Sequence, residues 1–178
     1  FFSKNYEMMQ IFFNRLNVDA YKDDYEKLKV QEFIAEYFYH VGQLDAAIDL
    51  CKSALQSLGF IVPEKVSDLM LFRERYKLKQ KIKNIACLEK LPEMRKTKDI
   101  LIMRYLAKLI QIVSFLRTND AQFLSCKMVD FVVKHGKSLV SPLAFAFYGA
   151  FEFSKQCNFK NGVFFSQTAL EMSEDVKD

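Results

Sequence analysis

The chain has 178 residues, 51% of them apolar and 27% charged, the composition of a folded protein. Its 5 Gly and 3 Pro fall well below the usual share of about 12%, which argues against sandwiches or barrels built on tight turns and against a Gly-rich dinucleotide loop. A balance of 26 basic against 22 acidic residues leaves +4, too mild a charge to direct the chain to nucleic acid.

Apolar periodicity predicts an all-α domain of about eight antiparallel helices stacked as hairpins. The first covers about Ser3 to Leu16, with Tyr6, Met9, Phe13 and Leu16 on one face. The second covers about Tyr25 to His40, behind the helix-start carboxylates Asp23, Asp24 and Glu26. Gly42 breaks the chain. The third runs from about Leu44 to Leu58, and Gly59 stops it. The fourth runs from about Val66 to Leu88, ended by Leu91-Pro92. The fifth, about Asp99 to Leu116, is apolar nearly all round, as a helix buried between neighbours is. Thr118-Asn119-Asp120 reads as a turn and cap before the sixth, about Ala121 to His135, which Gly136 stops. Ser141-Pro142 reads as cap and first position of the seventh, running to about Lys155. The eighth covers about Phe159 to Met172, and the polar tail from Ser173 to Asp178 is expected to fray.

Ala35, Ala47 and Ala54 stand 12 and 7 residues apart, and Ala150, Gly162 and Ala169 repeat that spacing. Small residues at these intervals let paired helices cross closely, with Gly42 at the turn. Phe38 matches Phe153, and Leu44 matches Phe159. The pattern resembles a degenerate tetratricopeptide repeat, with hairpins near 28–58 and 143–173. Gln31 replaces the motif's first bulky aromatic, and the closing proline is displaced to Pro63.

A wider resemblance rests on three runs. These are Ala46-Ala47-Ile48 through Leu58-Gly59-Phe60 to Pro63, then Leu91-Pro92-Glu93-Met94, then Lys127-Met128-Val129 through His135-Gly136 and Ser141-Pro142 to Tyr148-Gly149. In this order they resemble the helical region that follows the predicted ATPase module in large multidomain signalling proteins of the STAND type. Those proteins also carry serine/threonine kinase, histidine kinase or cyclase modules. The resemblance implies a right-handed superhelical scaffold or sensor in the cytoplasm, working through protein–protein or interdomain contacts. It brings no catalytic residue, since no ATPase, kinase or cyclase motif lies in the chain. The start at Phe1-Phe2-Ser3, without Met, reads as a piece of a longer protein whose residues 1–178 form one domain.

Other readings stay beside this one: a stand-alone tetratricopeptide-type adaptor, such as an effector or a transcription-regulator sensor domain, and, further off, an all-helical enzyme. No converging His/Asp/Glu or Cys/His set supports the last. Cys51, Cys87, Cys126 and Cys157 lie too far apart for a zinc motif and read as buried free thiols suited to a reducing compartment. Neither metal nor cofactor is expected. Gly136-Lys137-Ser138 lacks the earlier glycine of a phosphate loop, because Phe131 stands in its place. The longest charge-free stretch, Ser138 to Phe151, is too short to span a membrane. Arg73, Arg75, Lys77, Lys79, Lys81 and Lys83 form a basic run, read mainly as a solvated face and otherwise as a seat for an acidic protein partner. The dense aromatics Phe145, Phe147, Tyr148, Phe151 and Phe153 read as core.

Overall fold

The computed structural model describes residues 23–83, 85, 88–154 and 157–174. The helix expected over 3–16, the tail 175–178 and Cys87 lie outside the described residues. Those residues form seven α-helices: α1 (Asp24–His40), α2 (Leu44–Ser57), α3 (Asp68–Ile82), α4 (Thr97–Val113), α5 (Thr118–His135), α6 (Ser141–Ser154) and α7 (Phe159–Glu174). The described residues contain no strand, only an isolated parallel bridge between Glu93 and Lys137.

Asp23 caps α1 by accepting the Tyr25 amide at 3.0 Å, so the expected acidic start is in place. Gly42, with φ +79, turns the chain into α2. The two helices pack as a hairpin, and Ala35, Ala47 and Ala54 are all buried. Helix α4 fits the prediction of a helix enclosed on most sides, with Leu101, Ile102, Tyr105, Leu106, Leu109 and Ile110 among its buried residues. It packs on α2 and α5 and touches α1 and α6.

Three departures from the expected pattern matter. Helix α3 stops at Ile82 rather than Leu88, and a 3-10 turn over Leu88–Lys90 follows. Leu88 is buried in the main core beside α7, whereas the body of α3 lies on α5, and one straight helix cannot reach both. Consecutive helices also do not all pair. Helix α2 packs on α4, and α3 makes its principal contact with α5, so α3 is an excursion laid over the stack. Finally, Thr118-Asn119-Asp120 is already the first turn of α5. Asp120 accepts the Val66 amide at 3.2 Å, and Asn119 donates to Asp68 at 2.8 Å, fastening the start of α3.

The second expected hairpin departs from the spacing of the first at one of its three small positions. Ala150, matched to the buried Ala35, is exposed, and Gly149 takes the crossing with Gly162. A Cβ on Gly149 would stand 3.1 Å from the Gly162 carbonyl oxygen, and one on Gly162 would stand 2.9 Å from the Phe153 Cβ. Phe38 packs against the core, but its match Phe153 is exposed and meets exposed Phe159 edge-on at 4.8 Å. Ala169 is buried, as its spacing requires.

Candidate protein-interaction surfaces

The basic run is built into α3, and most of it faces acidic residues of the same chain. Arg75 donates to Glu152 of α6 at 2.6 Å, and the Lys79 ammonium lies 3.5 Å from the same carboxylate. Lys77 pairs with Glu74 at 3.2 Å within the helix. Lys81 pairs with Asp130 of α5. Glu74 in turn accepts from Lys127 of α5 at 2.7 Å. The run therefore clamps α3 to α5 and α6, a role the spacing of basic residues alone does not reveal. Arg73 and Lys83 remain: both are exposed and have no partner among the described residues.

The carboxylates of this clamp are tuned by their surroundings. Burial opposes ionisation of Glu152, whose side chain is 1% exposed, yet Arg75, Lys79 and Asn161 outweigh it and hold the carboxyl below its ordinary range. The same contest, burial against lysines, leaves Glu74 below its ordinary range through Lys127 and Lys77, and Asp130 through Lys134 and Lys81. Glu152 also accepts from Asn158 and Asn161 at 3.3 Å each, so one carboxylate fixes both α3 and the turn into α7.

A second clamp joins α1 to α4. Arg104 places Nε 3.0 Å from Glu32 Oε1 and Nη2 2.9 Å from Oε2, and Lys108 meets Glu36. Beside this seam lies a groove of about 610 Å³, lined by Met94, Ile100, Arg104, Leu139, Val140 and Met172. The Gly136-Lys137-Ser138 segment borders it. Its backbone is committed: the Lys137 amide donates to Pro92 and its carbonyl accepts from Met94, both at 2.7 Å, while the Ser138 amide donates to Ser141 Oγ. No ring of free amides is left to cradle a phosphate, in keeping with the missing first glycine.

Helices α6 and α7 present an apolar face on the side away from the core. A groove of about 570 Å³ runs between them, lined by Ala150, Phe153, Gly162, Val163, Ser166 and Leu170. The small residues open it and the large ones rim it. Of the aromatics expected in the core, Phe145 and Tyr148 are buried, Phe147 and Phe151 are half-buried, and Phe153 belongs to this outer face.

The thiols sit apart. Burial pushes Cys51 and Cys126 up to about 12, so both stay protonated and unreactive at neutral pH. Cys157 departs from the buried-thiol expectation: it is exposed, at φ +48, in the α6–α7 turn. Among the described residues no cluster of three or more His, Cys, Asp or Glu could hold a metal ion, and no helix is long and apolar enough to cross a membrane. The described residues are thus helical, with ion-paired seams and an exposed apolar face on α6 and α7. No protein-family model, curated protein or solved structure matches the chain.

Proposed function

We propose that this chain is a non-catalytic helical-repeat module that makes protein–protein or interdomain contacts within a multidomain signalling ATPase or kinase. The observation that supports this reading most is the outer face of α6 and α7. The end hairpin of a repeat stack needs a polar outer face to stay soluble. Here Phe153, Val163 and Leu170 are exposed around a floor of Ala150, Gly162 and Ser166. Such a floor admits the backbone of another helix, so the occupant is a further helical segment of the parent polypeptide, continuing a right-handed superhelix. The signalling context comes from the sequence resemblance, and the protonated, buried thiols Cys51 and Cys126 suit a reducing cytoplasm.

Photocrosslinking in cells tests this. A benzophenone amino acid at position 170 should give adducts with one helical segment of a polypeptide that also carries the ATPase or kinase modules. The same probe at exposed Lys65 should not. Adducts with a separate protein would favour the stand-alone adaptor, and position-independent adducts would remove the reading.

A further inference from the structure

We infer that the solvent face of α3 is a docking site for an acidic amphipathic helix of a partner protein. Three large apolar residues stand on it at i, i+3 and i+7: Leu69 is 77% exposed, Phe72 66% and Tyr76 59%. At about 100° per residue, this stripe lies opposite Leu71 and Leu78, which α3 buries towards the body of the protein. The helix thus has two apolar faces, and the fold uses one. Single exposed apolar residues are ordinary, but a stripe at helical spacing matches the anchors by which helix pairs recognise each other.

Charge specifies the occupant. Of the six cations of the run, Arg75, Lys77, Lys79 and Lys81 are answered by Glu152, Glu74 and Asp130. The two left over, Arg73 and Lys83, fall within about 40° of Leu69 on the helix wheel, on the same face as the stripe. Lys83 caps the C-terminal end of α3, where the helix dipole favours a cation, and Arg73 stands about 15 Å before it along the axis, so acidic side chains at two separate points of a partner helix would answer them. A complementary helix would carry apolar residues at i, i+3 and i+7 and Asp or Glu on either flank. An anionic membrane is a poorer match. Surface-binding polybasic segments gather about four to eight cations, and only two are free here.

Fluorescence anisotropy with a labelled amphipathic peptide, Leu at the anchor positions and Glu on the flanks, tests the inference on the full chain. The expected result is saturable binding that weakens as salt rises. Phe72→Ser should weaken it about tenfold or more, and so should the double variant Arg73→Glu with Lys83→Glu. Both variants alter exposed side chains, and circular dichroism will confirm that they fold. The decisive arm is charge exchange: a peptide with Lys on its flanks should bind the double variant better than the wild type. Equal binding of acidic and basic peptides to the wild type would overturn the inference. So would concentration-dependent dimerisation lost in Phe72→Ser, which gives the face to a second copy. Binding to phosphatidylcholine–phosphatidylserine vesicles lost in the same variants would give it to a lipid surface and overturn it equally.

Discussion

Arg75 on α3 and Glu152 on α6, 77 positions apart in sequence with α4 and α5 between them, meet at 2.6 Å with the carboxylate almost fully enclosed. Asn158 of the α6–α7 turn and Asn161 in the first turn of α7 complete the shell of Glu152. Glu152→Ala strands the Arg75 guanidinium and should cost about 3 kcal/mol in urea unfolding, in the range for breaking a buried pair. Replacing both partners by leucine should restore much of that loss, because two desolvated charges vanish together. A double variant as unstable as the single one would mean that the pair contributes more than its desolvation costs.

The acid limb of stability should be governed by the α3 clamp. Glu152, Glu74 and Asp130 are all held below their ordinary ranges in the folded chain. A carboxylate whose folded pKa is depressed contributes stability above its unfolded pKa, and that contribution fades as pH falls through the folded value. Hydrogen exchange measured from neutral pH downward should therefore show stable protection to about the ordinary Glu value of 4.5, then loss in α3 before α4. Simultaneous loss in both helices would remove the electrostatic account of how α3 is held.

Repeat register can be tested with a matched pair of substitutions. Ala47 has no exposed surface, so Ala47→Glu buries an unpaired charge and should cost about 3 kcal/mol or more. Ala150→Glu, at a solvent-facing position, should stay within about 0.5 kcal/mol of the wild type. Equal costs at the two sites would restore the register in which Ala150 matches Ala35.

What could be read from the sequence follows from how local each signal is. Helix positions were legible because caps, glycines and apolar spacing act within a few residues, and α1, α2 and α7 start within a residue of expectation. The small residues of the first expected hairpin, Ala35, Ala47 and Ala54, do all turn inward. In the second, Gly149 rather than Ala150 takes the crossing: both are small, and only the neighbouring helix decides which one faces it. The basic run does lie largely in solvent, but its ion pairs were not legible. Its acidic partners Asp130 and Glu152 lie about 50 to 80 positions away, and charge pairing at that distance leaves no periodic trace.

Gly136 should tolerate no side chain. Its φ of +98 disfavours any L residue, and a Cβ would come within 2.3 Å of the Pro92 carbonyl oxygen. Gly136→Ala should cost about 2 kcal/mol or more and separate the Glu93–Lys137 bridge. Thermal melting gives the cost, and amide exchange at Met94 reports the bridge. A wild-type melting temperature would place the strain elsewhere.

Thiol chemistry should sort the cysteines by surroundings. Under native conditions a maleimide should label Cys157 readily and spare Cys51 and Cys126, which should react only after unfolding. Peptide mapping by mass spectrometry distinguishes the sites. Native labelling of Cys51 at a rate close to that of Cys157 would show that the α1–α2–α4 seam opens.

The placement of α3 over α5 also sets an order of assembly on the ribosome. The first hairpin can close as soon as α2 has emerged, because only Val41 to Gln43 separate its helices. Helix α3 emerges next but has no seat until α5 has been made, so Leu71 and Leu78 wait in water while the residues of α4 are added. The nascent chain passes through an interval in which both faces of one helix are apolar and uncovered.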